Sequence, residues 1–165
     1  MIIVKNWLEK DLHEFLKFQY LHNTPHYLSQ KSNRFENLTS DNCFYISEFN
    51  QKDLMNSFLC LKIQKTINKK LKFLRTYLNI QHVNMNGSWH IDDDAEITCL
   101  YMVIGNGNFE IKNETSILFE ENKLICFDSK KIHRGLAPNK GTRITWTAKS
   151  IVDNSIGEKN ETKNN

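Results

Sequence analysis

Cysteine is scarce in this 165-residue sequence, and no two of its four cysteines form a CxxC pair. This absence argues against a zinc knuckle or a thiol redox motif. Cys60, Cys99 and Cys126 lie within apolar runs, which is typical of small buried side chains. The chain has no internal repeats, and its length allows one domain to bury a core without metals or disulfides as staples.

Long hydrophobic runs are also absent. No stretch approaches the roughly 18 apolar residues of a membrane span, and the N-terminal segment lacks the basic and apolar regions of a signal peptide. The net charge of +3 is mild, with 39% hydrophobic and 25% charged residues. Neither a membrane-binding nor a nucleic-acid-binding surface is indicated. We therefore expect a globular protein of the reducing cytoplasm.

Hydrophobic spacing divides the chain into a helical first part and a strand-rich second part. Apolar residues at helical spacing predict helices over about 8–22 and 53–70. Short strands are predicted at Ile2–Val4 and, less clearly, at Cys43–Ile46 within an ambiguous segment. Later, short runs between turn residues predict further strands. These runs are Phe73–Met85, Ile97–Ile104, Asn108–Ile111, Ser116–Phe119, Lys123–Phe127 and Arg143–Lys149.

This order of elements predicts a mainly β, α+β fold, in which N-terminal helices precede a double-stranded β-helix (jelly roll) over about residues 73–150. Residues 1–152 would form a single domain, and the polar residues 153–165 a disordered tail. Because the chain is short, loops that cover a substrate must be modest, chiefly 24–50 and 86–96.

Two residues with metal-binding side chains, His90 and Asp92, follow the first long predicted strand. In extended backbone, residues two apart point the same way, so this imidazole and carboxylate face one side. His133 lies in a predicted loop after another strand and can supply a third ligand. Two histidines and one carboxylate on one octahedral face are the arrangement of non-haem Fe(II) oxygenases. A surface histidine beside a solvated acidic run would give the same His-x-Asp pattern. The pattern alone therefore does not distinguish a metal site from a surface histidine.

Arg143 favours the metal-site interpretation over a surface histidine. It lies ten residues after His133, at the start of the last predicted strand, and Thr145 and Thr147 share its face. A guanidinium grips a carboxylate through two parallel hydrogen bonds, and a neighbouring hydroxyl adds another donor. This set is suited to the distal carboxylate of a metal-bound dicarboxylate.

The segment 73–149 resembles the 2-oxoglutarate/Fe(II) oxygenase superfamily and, within it, the prolyl-4-hydroxylase-like group. The opening Val4–Leu8, followed by a helix, is also similar to that group. The stretches that carry the resemblance are Arg75–Gln81, His90–Asp93, Ile97–Tyr101, Gly107–Glu110, Phe127–Ser129 with His133, and Arg143–Thr145 with Lys149.

The resemblance implies an Fe(II)- and 2-oxoglutarate-dependent dioxygenase that hydroxylates its substrate and releases succinate and carbon dioxide, with ascorbate as a candidate further cofactor. His90, Asp92 and His133 would bind iron. Arg143 would bind the C5 carboxylate of 2-oxoglutarate, with Thr145 or Thr147 as helper. Polar contacts to co-substrate or substrate would come from Tyr77, Asn79 and Gln81. Met102 stands where related enzymes often have tyrosine, so the pocket would be less polar.

Two other functions stay open. A cupin-type metalloenzyme without 2-oxoglutarate would share the barrel but leave Arg143 without a task, and a non-catalytic jelly-roll binding module would have no use for the His-Asp-His set. The substrate is expected to be a prolyl or other peptide side chain, and a nucleic acid is not expected. Tyr27, Phe35 and Tyr45 would wall such a peptide or else pack the helices on the barrel.

Overall fold

The computed structural model describes residues 1–29, 44–50 and 52–154. In these ranges the chain forms ten β-strands and two α-helices. The strands are β1 (Ile2–Val4), β2 (Tyr27–Ser29), β3 (Phe44–Glu48), β4 (Leu71–His82), β5 (Ile97–Ile104), β6 (Asn108–Ile111), β7 (Thr115–Leu118), β8 (Lys123–Asp128), β9 (His133–Gly135) and β10 (Thr142–Val152), and the helices are α1 (Lys10–Phe18) and α2 (Leu54–Ile67).

The strands form two antiparallel sheets. The larger sheet has the order β1-β8-β5-β10-β4-β3-β2, and the smaller one has the order β7-β6-β9. The long strand β10 lies at the centre of the larger sheet, between β4 and β5. The chain is therefore mainly β with few helices, as the run of short strands predicts.

The two faces of the larger sheet pack against different partners. On one face, Leu78, Tyr101 and Trp146 are buried together with Leu16 of α1 and Ile63 of α2. Burying each leucine or isoleucine of this set contributes about 1.5–3 kcal/mol. The other face packs against the smaller sheet through Met102, Phe109, Ile111, Ile117, Phe119, Ile125 and Phe127. Side chains on this second face of β4, β5 and β10 consequently lie between the sheets.

Both predicted helices form, but their ends differ from the prediction. Helix α2 begins where the Asp53 carboxylate accepts a hydrogen bond from the backbone N–H of Asn56 (2.7 Å), and it ends at Asn68 in the left-handed conformation. Helix α1 ends at Phe18 instead of about residue 22, and the chain continues as a π-helical turn over Gln19–Asn23. In the described ranges, no helix is long and apolar enough to cross a membrane.

Two strands were not predicted. Strand β2 pairs with β3 at the edge of the larger sheet. Strand β9 was predicted as a loop, yet it pairs with β6 in the smaller sheet. Cys43, Phe35 and most of the predicted tail lie outside the described residues.

Candidate active site

Backbone pairing between distant segments places His90 and His133 opposite each other. The N–H of each residue donates to the carbonyl of the other, at 3.0 and 2.9 Å, and the ring centroids are 4.3 Å apart. The N–H of Gly87 donates to the carbonyl of Gly135 (2.8 Å), which extends this pairing. A Cβ at position 87 would lie 2.9 Å from the carbonyl oxygen of Gly135. Glycine therefore permits the close approach that aligns the two histidines.

The Asp92 carboxylate is buried and hydrogen-bonded through both oxygens. Its Oδ2 accepts from the Thr98 hydroxyl (2.6 Å), which also contacts the Ser129 hydroxyl, and its Oδ1 accepts from Lys149 Nζ (2.8 Å). Burial alone would raise the pKa of Asp92, but the Lys149 ammonium and the hydrogen bonds from Lys149 and Thr98 hold that pKa below its ordinary value. Asp92 is therefore ionised at neutral pH and fixed in orientation.

Both imidazoles are oriented by backbone carbonyls. His90 Nδ1 lies 2.8 Å from the carbonyl oxygen of Ser88, and His133 Nδ1 lies 2.8 Å from that of Lys131. A carbonyl oxygen only accepts, so each Nδ1 must carry a proton, and in the neutral ring each Nε2 keeps its lone pair. Burial, and then the neighbouring His90, lower the pKa of His133 to about 4. The His133 ring is consequently neutral at neutral pH and ready to ligate a metal.

These three side chains converge on one point. His90 Nε2 lies 3.8 Å from Asp92 Oδ1, and His133 Nε2 lies 3.7 Å from Asp92 Oδ2. One donor atom from each residue lies within 4.8 Å of the other two, and no other such group of histidine, cysteine or carboxylate side chains occurs in the described part of the chain. Two imidazoles and one carboxylate suit a single divalent transition-metal ion and leave coordination positions open.

Arg143 lies in the same cavity and is almost fully buried, but not all of its N–H groups have a hydrogen-bond acceptor in the protein. Its Nη2 donates to Gln81 Oε1 and its Nη1 to the carbonyl oxygen of Asn108 (3.2 Å), whereas its Nε has no protein partner. The Oδ1 of Asn79, in the same cavity, is also unpartnered. Burial lowers the pKa of Arg143 to about 10, which still leaves the guanidinium charged at neutral pH. A buried cation with a free N–H is matched by an anionic ligand.

Strand pairing explains why the predicted residues meet in this cavity. Arg143, Thr145 and Thr147 of β10 lie opposite Gln81, Asn79 and Tyr77 of β4, respectively, so alternating side chains of both strands point between the sheets. The cavity is lined by the three metal-ligand candidates, by these six residues and by apolar side chains, including Leu100, Met102, Phe109 and Phe119. Gln81 lies beside the guanidinium of Arg143 and accepts a hydrogen bond from it.

Sequence reasoning missed Thr98 and Lys149, the two partners of Asp92. Lys149 continues the alternation of Arg143, Thr145 and Thr147 along β10, and this periodicity could have assigned it to the site. Burial alone would lower the pKa of Lys149, but the neighbouring Tyr77 and Asp92 outweigh burial and raise it. A second cation besides Arg143, half-buried, therefore lies beside the site.

Comparison with known proteins finds relatives in structure but not in sequence. No family model matches the chain, and no curated protein matches it. Among solved structures, a 2-oxoglutarate-Fe(II) oxygenase family oxidoreductase from Burkholderia pseudomallei superposes with a TM-score of 0.66 at 9% identity, covering 90% of this chain and 84% of that one.

Two prolyl hydroxylases are similar to the same degree. The enzyme from Trichoplax adhaerens, in complex with a peptide of hypoxia inducible factor, has a TM-score of 0.69 at 13% identity over 90% of this chain and 82% of that one. A Pseudomonas putida prolyl-4-hydroxylase has a TM-score of 0.63 at 13% identity over 90% and 91%. The resemblance inferred from the sequence is thus confirmed at the level of the fold, which this chain shares with 2-oxoglutarate/Fe(II) oxygenases and prolyl hydroxylases.

Proposed function

We propose that this chain is an Fe(II)- and 2-oxoglutarate-dependent dioxygenase that hydroxylates its substrate, and that its two sheets form a double-stranded β-helix. One observation carries the proposal. The His90, Asp92 and His133 donor atoms lie within 4.8 Å of one another, in the same cavity as a buried Arg143 with an unpartnered N–H. A metal ion would bind the three donor atoms, and a dicarboxylate would bind the guanidinium of Arg143.

The donor set fits iron(II). The two Nε2 lone pairs and the Asp92 carboxylate would hold the ion, while Ser88 and Lys131 fix the imidazole orientations through their carbonyls. Bound iron would supply the chemistry by which dioxygen decarboxylates 2-oxoglutarate and oxidises the substrate. The contribution of the protein is to fix three ligands on one side and leave the other side for small molecules.

The remainder of the cavity fits 2-oxoglutarate. Arg143 would pair with the C5 carboxylate, with Thr145 or Thr147 as a hydroxyl donor and Asn79 as a polar neighbour. Leu100, Met102, Phe109 and Phe119 line the cavity, and their apolar surfaces would exclude water from the bound dicarboxylate. Lower water content strengthens the ion pair with the guanidinium.

Two rival functions use these residues less well. A cupin-type metalloenzyme that does not use 2-oxoglutarate would leave the buried Arg143 Nε without a partner. A non-catalytic jelly-roll module would have no need for two histidines held with Nε2 facing a buried carboxylate. Unsatisfied buried polar groups are costly. The oxygenase proposal is favoured because it gives a partner to the Arg143 Nε and to the Nε2 atoms of the two histidines.

An anaerobic titration separates the three functions without knowledge of the substrate. Adding Fe(II) and then 2-oxoglutarate to the purified chain should produce the visible metal-to-ligand charge-transfer band of a chelated 2-oxoacid. A cupin-type enzyme would bind the metal without giving this band, and a binding module would give neither signal. Metal binding without the band, at saturating 2-oxoglutarate, would contradict the proposed co-substrate.

The substrate that we propose is a peptide, first a prolyl side chain. The Trichoplax adhaerens structure was obtained with a peptide, and the net charge of this chain does not favour a nucleic acid. Of the aromatic residues predicted to line a peptide, Tyr27 is exposed on edge strand β2, and Tyr45 is half-buried against His82. An edge strand with exposed side chains also offers backbone groups to an extended peptide.

Succinate release tests this substrate class. A panel of proline-containing peptides, assayed with Fe(II), 2-oxoglutarate and ascorbate, should raise succinate release above the uncoupled rate by several-fold, whereas single-stranded DNA and RNA should not. The matched control replaces proline by alanine in the best peptide. Stimulation by oligonucleotides alone, with an oxidised base detected by mass spectrometry, would overturn the peptide assignment and leave the oxygenase proposal intact.

A further inference from the structure

Helix α2 is apolar on its outward side as well as on the side that packs against the larger sheet. Leu59 and Ile63 are buried against the sheet, whereas Leu54, Phe58 and Leu61 are exposed. The exposed three recur at positions i, i+4 and i+7, so they form one stripe along the opposite side of the helix. A helix that is apolar on both sides is typical of an element that is buried on both sides.

Helix α1 lies antiparallel to α2 and widens this stripe. The Trp7 indole, just before α1, donates to the Thr66 hydroxyl in the last turn of α2 (2.9 Å). At the other end, burial and then the Asp53 carboxylate raise the pKa of Tyr20, which places Tyr20 near the start of α2. The exposed apolar side chains of α1 lie three residues apart on one face and are Phe15 and Phe18.

Together these side chains form a patch, which we call the helical face and which consists of Phe15, Phe18, Leu54, Phe58 and Leu61. With between 42% and 85% of each residue exposed, the helical face presents on the order of 500 Å² of apolar surface. Monomeric proteins rarely expose a contiguous apolar patch of more than a few hundred Å². A stable protein interface buries about 800 Å² on each partner, and about 60% of that area is apolar. The helical face therefore has the apolar area of one side of a protein interface.

A groove beside the stripe gives the same surface a concave part. It lies between α2 and β4 and has a volume of about 490 Å³. Its apolar lining includes Phe49, Leu61, Phe73 and Leu74. Leu54, which is 85% exposed, protrudes from the first turn of the same helix. A surface that carries both a protruding side chain and a groove is self-complementary, as a two-fold symmetric interface requires.

We propose that the helical face binds a second copy of this chain, in a two-fold symmetric dimer whose α2 helices pack antiparallel with Phe58 at the centre. Residues equally far from Phe58 on either side then lie opposite each other. Leu54 consequently meets Lys62 of the second copy and enters the groove beside Leu61 of the second copy. Asp53, at the start of α2, comes next to the lysines near the end of the other α2, and symmetry makes this charge pairing twice. Antiparallel helices also bring opposite ends of their dipoles together.

This dimer goes beyond the proposed function and does not rest on it. The helices pack on one face of the larger sheet, and the cavity lies on the other face, between the two sheets. Association through the helical face therefore leaves the cavity of each copy open.

Sedimentation equilibrium of the full chain measures this association. The wild type should have twice the chain mass of 19.5 kDa at micromolar concentration. Phe58→Ala and Leu61→Ala should each raise the dimer Kd by at least about 30-fold, as expected for residues at the centre of an interface. Leu118→Ala is the matched control, because Leu118 is 59% exposed, like Leu61 at 58%, but lies on the smaller sheet. It should leave the dimer Kd unchanged.

Two substitutions of one residue test the antiparallel arrangement. Leu54→Glu and Leu54→Lys both lose the apolar contact, but only the lysine would face a like charge, Lys62 of the second copy. Leu54→Lys should therefore raise the dimer Kd several-fold more than Leu54→Glu, and high salt should reduce the difference. Equal values, or the reverse order, would overturn the antiparallel arrangement. Thermal melting and the charge-transfer band check that each variant is folded.

The wild type decides the proposal as a whole. A chain that stays monomeric at millimolar concentration would overturn the dimer, and binding of that monomer to vesicles of phosphatidylcholine and phosphatidylglycerol would assign the helical face to a membrane surface instead. A dimer that survives Phe58→Ala and Leu61→Ala unchanged would overturn the location of the interface.

Discussion

Asp92→Asn is expected to abolish turnover and to weaken Fe(II) binding by more than about 100-fold, since loss of even an outer hydrogen-bond partner of a metal ligand costs about 10–100-fold. The amide has nearly the shape of the carboxylate but no negative charge to offer a metal. In the variant, the Lys149 ammonium also loses its main counter-charge. His133→Ala is expected to have a similar effect, because it removes a neutral Nε2 donor. Iron content after anaerobic reconstitution and succinate release measure both variants.

Asp94→Asn is the matched control for this experiment. Asp94 lies two residues from Asp92, but its side chain is 63% exposed and 4.0 Å from Lys149 Nζ. The control should keep wild-type iron content, because a solvent-exposed carboxylate at this distance contributes little. Thermal melting of each variant separates loss of the site from loss of the fold. An Asp92→Asn protein with wild-type activity and iron content would rule out the His-Asp-His assignment.

Local patterns in the sequence predict the regular elements of this fold well. Strands β5 and β6 were predicted to the residue, because each has turn residues at its ends. The α2 helix was predicted from apolar spacing with Asp53 at its start, and Asp53 does cap it. The α1 helix was predicted too long, since Tyr20 and Leu21 continue the apolar pattern while the backbone changes to a π-helical turn.

Features that depend on distant partners were not predictable in this way. Strand β9 has three residues and no hydrophobic alternation, and its extended form comes from pairing with β6 and with His90. Asp92 belongs to a run of three aspartates that looks solvated, and its burial follows only from contacts with Thr98 and Lys149. A lysine near the end of a strand ordinarily extends into solvent, so the alternation with Arg143, Thr145 and Thr147 is the one signal that pointed to Lys149.

The candidate site was predictable as far as alternation along a strand determines which side chains share a face of the sheet. The sequence predicted that Arg143 shares a face with Thr145 and Thr147, and the register with β4 places all three opposite Gln81, Asn79 and Tyr77. Which side of the sheet this face occupies depends on where the apolar residues of the smaller sheet pack. That packing combines side chains far apart in sequence, so local periodicity does not reveal it.

Arg143→Ala is expected to raise the Kd and KM for 2-oxoglutarate by roughly 30-fold to more than 1000-fold. Removing one partner of a buried charge pair costs about 2–5 kcal/mol, and each 1.4 kcal/mol corresponds to about tenfold in affinity. Arg143→Lys should recover only part of the loss, because an ammonium lacks the planar fork that binds both carboxylate oxygens. The charge-transfer band of the anaerobic Fe(II) complex, titrated with 2-oxoglutarate, gives the Kd directly.

Lys72→Ala is the matched control, because Lys72 lies on the neighbouring strand β4 but is exposed and does not line the cavity. Its 2-oxoglutarate affinity should equal that of the wild type. Fe(II) content should be retained in Arg143→Ala at saturating metal, since His90, Asp92 and His133 are untouched, which separates co-substrate binding from metal binding. An unchanged Kd in Arg143→Ala would remove the guanidinium from the co-substrate site. The cupin-type function would then be favoured, because the His-Asp-His set could still bind a metal while no cation would bind the dicarboxylate.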